Sequence, residues 1–300
     1  MRAFKIKRIL ILGHTGFVGN HLERYFRHFS PEVEIVGRSL PDMDLTKEKE
    51  VFGLSDLLSL ETAVIMCAAI KRQFGDNLDT FLQNLMMAIN LSRLLEKHSV
   101  RRFIFFSSTA VYGEDVHNTD ITEKTPVSPT SYYGMAKYTS ERIFSKVIGQ
   151  LKDCSFLILR PALIYGPSDE SVTYGPAGFI KAALRKEQIT LWGDGAEMRE
   201  FIFIEDIVKI VYRLTFSEYD GVLNIVSGKS YSFKYAIKII SSLFPYELKL
   251  STKERTKAKV DNEFNNAHFI HLLKDFSFTN LEEGIRKTIA AESEKLKSVN

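Results

Sequence analysis

Short apolar runs recur along the chain at 8–12, 33–36, 62–67, 103–107 and 156–159, separated by longer stretches of helical period. Runs of this length, with no alternating polar face, predict strands buried on both sides. Helices are predicted at about 16–29, 79–97 and 132–150. This alternation predicts an α/β fold with a doubly wound parallel sheet and right-handed crossovers. The helix over 81–95 is apolar nearly all round, so one face covers the sheet and the other needs a second partner. Self-association through this helix supplies one; the chain's own C-terminal part is the alternative.

After Gly166-Pro167 the rhythm changes to a Gly/Pro/Tyr-rich stretch ending at Gly178, a helix near 179–186 and a turn at Trp192-Gly193-Asp194-Gly195. A helix over 205–214 and a strand over 222–226 then rejoin the first layer, followed by a charged segment at 249–259 and a last helix at about 280–297. The expected organisation is a nucleotide-binding domain over 1–167, rejoined by about 201–227. A smaller, discontinuous substrate lobe would comprise 168–200 and 228–300.

With 300 residues, 45% of them apolar and 26% charged, the chain has the composition of a globular protein with a large core. The 40 Lys and Arg against 37 Asp and Glu leave +3, too little to argue for nucleic acid or a membrane surface. Any anionic ligand must be met locally. The only cysteines are Cys67 and Cys154, and Cys67 lies in an apolar run, which fits a reducing cytoplasm better than a disulfide framework. The apolar stretch Ile9-Leu10-Ile11-Leu12 is too short for a signal peptide or a membrane span. His268 and His271 lack cysteine or carboxylate company, and no metal is expected.

Ile9-Leu10-Ile11-Leu12-Gly13-His14-Thr15-Gly16-Phe17-Val18-Gly19 reads as a strand, a glycine turn and a helix start. Gly13 and Gly16 allow a tight turn and close approach to a pyrophosphate, Gly19 allows helix and strand to pack closely, and the helix start presents N–H groups to the anion. On the first strand of a βα series this predicts a Rossmann-type dinucleotide site including Thr15, Phe17 and Val18. At the end of the second strand stands Gly37-Arg38-Ser39, with no acidic residue to take an NAD ribose. Arg38 suits a 2′-phosphate, so NADP is expected over NAD.

In Ser131-Tyr132-Tyr133-Gly134-Met135-Ala136-Lys137, Tyr133 and Lys137 are four apart, roughly 40° around a helix axis and one turn along it. A phenol with a pKa near ~10 needs a neighbouring cation to work near neutrality, and Lys137 is the expected activator. Tyr132 would point elsewhere. An exposed Tyr/Lys pair on an amphipathic helix is the alternative.

Together these elements resemble the extended short-chain dehydrogenase/reductases, specifically the NAD(P)-dependent epimerase/dehydratase family acting on nucleotide-activated sugars. The resemblance includes Cys67-Ala68-Ala69, Asn84 with Asn90, Ser107-Ser108-Thr109-Ala110-Val111-Tyr112-Gly113 and Leu159-Arg160-Pro161-Ala162-Leu163-Ile164-Tyr165-Gly166-Pro167. It continues through Trp192-Gly193-Asp194-Gly195-Ala196-Glu197-Met198-Arg199-Glu200-Phe201 to Asp206. It implies that Ser108 hydrogen-bonds the reacting sugar oxygen, that Tyr133 is the acid/base, and that Lys137 holds the nicotinamide ribose and lowers the tyrosine pKa. It places Asp44 and Leu45 beside the adenine, and Ala68, Ala69, Asn84, Ser107, Pro161 and Leu163 along or behind the cofactor. Arg199 would meet the nucleotide diphosphate, with Thr109, Phe179 and Trp192 also on the substrate.

Two departures narrow the chemistry. Sugar 4,6-dehydratases of this family follow the catalytic hydroxyl with Asp-Glu, whereas this chain has Thr109-Ala110, which argues against dehydration. Leu163 stands where many members carry an asparagine, which removes a usual sugar or phosphate contact. With NADP as a consumed hydride donor, the expected activity is reduction of a 4-keto nucleotide sugar. A nucleotide-sugar 4-epimerase is the alternative, and a non-catalytic NADP-binding sensor a third reading. The expected partner is the nucleotide-diphosphate sugar, with homodimerisation through the helices near 79–97 and 132–150.

Overall fold

The computed structural model describes residues 5–170, 175–255 and 258–299; residues 1–4 of the basic start, 171–174 of the Gly/Pro/Tyr-rich stretch and 256–257 of the charged segment lie outside the described residues. The chain begins with β1 (Arg8–Leu12), α1 (Phe17–Phe29), β2 (Glu34–Arg38), α2 (Glu48–Phe52), β3 (Thr62–Met66), α3 (Leu78–Leu95) and β4 (Arg102–Phe106). It continues with β5 (Asn118–Ile121), α4 (Tyr132–Ile148), β6 (Ser155–Pro161), β7 (Leu163–Tyr165), α5 (Gly175–Leu184), β8 (Ile189–Trp192) and β9 (Met198–Phe203). The last elements are α6 (Ile204–Thr215), β10 (Gly221–Ile225), β11 (Ser230–Ser232), α7 (Phe233–Ser242), β12 (Leu250–Lys253), β13 (Asn262–Phe264), α8 (Ala267–Leu272) and α9 (Leu281–Val299).

Six strands form one sheet in the order β10-β6-β4-β3-β1-β2, and from β6 to β2 every neighbouring pair runs parallel. The fold is an α/β Rossmann-type sheet, as the strand pattern predicts. Every residue of β3 and β4 is buried, which is why, after Thr62 and Arg102 at their starts, these strands read as apolar runs. Leu10, Val64, Phe103 and Phe105 from the strands pack with Leu91 and Leu94 of α3 and Phe144 of α4 in one core. Because β1 lies between β2 and β3, the winding direction reverses there. In such sheets the carboxyl ends of the strands at the switch point are where ligands bind.

The chain divides into two compact units, one of Met1–Glu114, Pro126–Pro161 and Val208–Asn224, the other of Asp115–Thr125, Ala162–Ile207 and Ile225–Asn300. The second thus begins before 168, keeps 201–207, and takes in 115–125 because β5 pairs in parallel with β13. Within it, β11-β9-β7, β12-β8 and β13-β5 form three small sheets. These strands, with α2, α7 and α8, are absent from the sequence reading; at three to six residues the strands are too short to show a period. Helix α5 already includes Gly175, ahead of the expected start near 179.

Candidate active site

At the carboxyl end of β1 the backbone admits only glycine. Gly13 has φ +91°, and a Cβ there would lie 2.7 Å from the Ala68 amide nitrogen; at Gly19 a Cβ would lie 2.1 Å from the Gly13 carbonyl oxygen. The turn is thereby pressed against both the first turn of α1 and the residues after β3. Gly16, the N-cap of α1, offers no side chain to the first-turn N–H groups, and Thr15 and Gly16 are exposed. Uncapped amides at the tip of a glycine turn fit a dinucleotide pyrophosphate. Phe17 and Val18 open the helix and are partly exposed.

Strand β2 is tied to this turn. The Thr15 N–H donates to Ser39 Oγ at 3.1 Å, and Ser39 Oγ pairs with His14 Nδ1 at 2.8 Å. The His14 ring covers Gly37 so closely that a Cβ there would lie 2.3 Å from it. Arg38 is partly exposed and donates from Nη1 to the Gly37 carbonyl at 2.8 Å. No carboxylate occurs within Gly37-Arg38-Ser39.

Asn84 supports the segment after β3. Its Oδ1 accepts the Ile70 N–H at 2.9 Å, while Nδ2 donates to the Ile70 and Thr80 carbonyls at 3.1 and 3.0 Å. These bonds employ the whole amide, so Asn84 acts behind Ala68 and Ala69. Asp44 accepts the Thr46 N–H and hydroxyl at 2.9 and 2.7 Å, bonds that hold its carboxyl below the usual carboxylate range and shape the loop after β2. Leu45 is buried, and its carbonyl accepts Asn90 Nδ2 at 3.1 Å. Lys71, which the sequence reading passes over, places Nζ 5.4 Å from the centre of the Phe17 ring.

Ser131 caps α4 by accepting the Gly134 N–H at 3.1 Å, and the Tyr133 N–H donates to Asp76 Oδ1 at 3.0 Å. Tyr132 is exposed, whereas Tyr133 is partly buried with its hydroxyl hydrogen-bonded to Ser108. Lys137 is buried, donates from Nζ to the Phe106 carbonyl at 2.6 Å, and lies 5.7 Å from the centre of the Tyr133 ring. Ser108, Tyr133 and Lys137 are thus brought together. Burial, reinforced by the Glu114 carboxylate, pushes the Tyr133 phenol above the ordinary tyrosine range, and the Ser108 bond only partly opposes it. Burial is the largest influence on the phenol here, and the Lys137 ammonium, which donates to the Phe106 carbonyl, is itself disfavoured by burial. Its pKa is pulled down to about 8 by burial, against the Glu141 carboxylate, which favours its charge.

The Ser107 hydroxyl donates to Glu141 Oε1, so a cofactor would meet Ser107 through its main chain. Glu141 also receives Arg160 through Nε at 2.9 Å and Nη2 at 2.6 Å. Arg160 Nη1 reaches the Tyr112 hydroxyl at 2.8 Å, which donates to Asn224 Oδ1 at 2.8 Å. The Thr109 hydroxyl donates to the Pro161 carbonyl at 3.3 Å. The sequence assigns no role to Glu141 or Arg160, although Tyr133-x-x-x-Lys137-x-x-x-Glu141 places three polar groups on one helix face.

In the second unit, Phe179 is 5% exposed and packs edge-on against Phe233, a core position that leaves little of its ring for a ligand. Trp192 is 53% exposed beneath Lys253 Nζ. Arg199 donates from Nη1 to the Met198 and Val260 carbonyls at 2.8 and 2.6 Å. Leu163 lies in β7, opposite Phe201 of β9. Among the described residues no His, Cys, Asp and Glu group could hold a metal ion, and no helix is long and apolar enough to cross a membrane.

A sequence model of the NAD dependent epimerase/dehydratase family matches residues 9–225. An uncharacterized UDP-glucose epimerase of Bacillus subtilis is 30% identical over 228 residues, 67% of this chain and 70% of that protein. The GDP-L-colitose synthase of Yersinia pseudotuberculosis is 24% identical over 94% of this chain and 96% of its own length. The crystal structure of Thermus thermophilus UDP-glucose 4-epimerase, a complex with NAD, superposes with a TM-score of 0.82 at 21% identity, covering 95% of this chain and 98% of that one.

Proposed function

The chain belongs to the NAD dependent epimerase/dehydratase family, and from that membership we propose that it is a nicotinamide-dependent enzyme reducing the C4 keto group of a nucleotide-linked sugar. The observation that supports this chemistry is the meeting of Ser108, Tyr133 and Lys137 between the end of β4 and α4, with burial and Glu114 keeping the Tyr133 phenol protonated. When bound, the nicotinamide supplies the hydride to C4. Tyr133 donates its proton to the carbonyl oxygen and Ser108 adds a second hydrogen bond, so charge developing on that oxygen is met by two positioned donors. Lys137, in its ammonium form, offers a donor for the cofactor ribose and stabilises the phenolate left on Tyr133 once its proton has gone.

Gly13, Gly16 and Gly19, with the first-turn amides of α1, would hold the pyrophosphate. Arg38, without a neighbouring carboxylate, supports NADP as the reductant. Thr109-Ala110 supplies no carboxylate for elimination. Trp192 and Arg199 are the proposed contacts of the second unit with the nucleotide sugar. A homodimer is proposed through α3 and α4, where Leu78, Leu82, Met86, Tyr132 and Met135 are exposed.

The second reading is a nucleotide-sugar 4-epimerase, favoured by the 30% identity to a protein named a UDP-glucose epimerase. The two share the same hydride and proton step and differ in whether the hydride returns to the sugar. Incubation of UDP-glucose, UDP-N-acetylglucosamine and 4-keto-deoxyhexose nucleotides with NADPH, and separately with no added cofactor, distinguishes them. Stoichiometric NADPH consumption supports the reductase; cofactor-free turnover sinks it in favour of the epimerase.

A further inference from the structure

The end of β4 and one face of α4 meet contact by contact. Ser108 bonds the Tyr133 hydroxyl, the Phe106 carbonyl receives Lys137, and the Ser107 hydroxyl donates to Glu141. Three successive residues of the strand end are thus pinned to three helix residues spaced four apart. The last pin is the deepest: Glu141 is 2% exposed and Arg160 5%. Arg160 grips the carboxylate through two nitrogens, lies 5.0 Å from the centre of the Tyr112 ring, and is itself held through Tyr112 and Asn224.

Stability is a poor reason for such a pair. Desolvating both charges offsets most of their attraction, and apolar replacements of a buried ion pair are often neutral or stabilising. What an apolar pair cannot do is accept the Ser107 hydroxyl or place a negative charge one turn from Lys137. We infer that Glu141, clamped by Arg160, is a positioning residue: it fixes the register of β4 against α4 so that Ser108 stays on Tyr133, and it keeps Lys137 in its ammonium form. The groups acting on Lys137 are Tyr133 and Glu141 from α4, Cys67 and Lys71 after β3, and the Phe106 carbonyl from β4. Of these, Glu141 favours the charge and Lys71 opposes it, while the Cys67 thiol, pushed up to about 12 by burial, is neutral. At a pKa of about 8 the margin near neutrality is small, so losing Glu141 matters.

The inference rests on the assignment of Ser108, Tyr133 and Lys137, and its test reads the site without substrate. The double variant Glu141→Leu/Arg160→Met removes the pair without stranding either charge. In protein carrying [13Cε]lysine, with the Lys137 resonance assigned by its loss in Lys137→Met, the titration midpoint is expected to fall below that of the wild type. With whichever nucleotide sugar the wild type turns over, kcat should drop at least about tenfold while KM changes by less than about threefold, the pattern of a lost transition-state contact. A folded double variant with the wild-type midpoint and kcat overturns the inference. Movement of the midpoint in a protein that turns over no nucleotide sugar would defeat the functional reading and leave the inference standing. If the double variant does not fold, Ser107→Ala decides, because it keeps the ion pair: a several-fold loss of kcat at unchanged melting temperature supports the register, and wild-type kcat refutes it.

Discussion

Lys137 Nζ donates to the Phe106 carbonyl at 2.6 Å, so the ammonium is bound to the strand that carries Ser108. The bond fixes α4 against the end of β4 and makes the lysine part of the scaffold as well as of the chemistry.

Replacing Tyr133 by Phe removes the proton donor and leaves the ring in place. The expected result is a fall in kcat of about 10²- to 10⁴-fold, the usual worth of a general acid, with cofactor affinity and melting temperature close to wild type. Cofactor titration and steady-state rates check it. A variant retaining most of its rate would assign the proton to another group.

Lys137 gives stability a pH dependence of known sign. Its folded pKa of about 8 lies below the ordinary lysine value of 10.5, so the unfolded chain binds more protons between these values and stability rises with pH across that window. Below pH 8 burial of the charge costs on the order of 3 kcal/mol, a cost relieved as pH approaches 10.5. Lys137→Met should lack this term. Urea unfolding at pH 7 and pH 10 should therefore show wild-type stability gaining on that of the variant at the higher pH; an equal difference at both would contradict the assignment.

How far the sequence reaches depends on the length over which a pattern repeats. The six central strands and α1, α3 and α4 are legible because each is an apolar run or helical period long enough to be seen, and the glycine turn because only glycine tolerates its geometry. The groups around Tyr133 and Lys137 are legible as spacing. Their protonation is not: the rise at Tyr133 comes from burial and from Glu114, far from it in sequence, and Lys137 spends its strongest hydrogen bond on a carbonyl that any residue could supply. The Glu141–Arg160 pair is likewise a contact between α4 and β6 that no local pattern announces. In the second unit, three-residue strands such as β11 and β13 and the contribution of 115–125 depend on pairing between distant segments.

Gly19→Ala tests the cofactor turn. Its Cβ would meet the Gly13 carbonyl oxygen at 2.1 Å, a contact relieved only by moving α1 away from the turn. Dinucleotide binding, followed by NADPH fluorescence, should be lost or severely weakened. Asn20→Ala beside it, at an exposed position outside the named site, adds no atoms and should leave binding nearly intact; equal losses in both variants would point to general instability.

Arg38→Ala separates the two dinucleotides. If the guanidinium meets a 2′-phosphate, the variant should lose at least about tenfold in NADPH affinity, the range of a charge-assisted bond worth 1.5–3 kcal/mol, with little change for NADH. Isothermal titration with both cofactors reads the difference. Equal effects on both would remove Arg38 from cofactor discrimination.

The proposed dimer rests on Leu78, Leu82 and Met86, which repeat every four residues along α3 and are 55%, 51% and 42% exposed, with Tyr132 and Met135 of α4 exposed beside them. An apolar stripe on two neighbouring helices suits a second copy of itself, since a two-fold axis presents the same stripe from the other side. Because these side chains are exposed in the single chain, a charge there costs the monomer little, whereas two copies of that charge would be buried near the axis of a dimer. Leu82→Glu with Met86→Lys would allow compensating pairs, so the clean test is Leu82→Glu with Met86→Glu. Sedimentation should show wild type at twice the 34.3 kDa chain mass and the variant at that mass, with similar unfolding midpoints for the monomeric fold. A wild type that sediments as a monomer, or a variant that stays dimeric, would move the interface elsewhere.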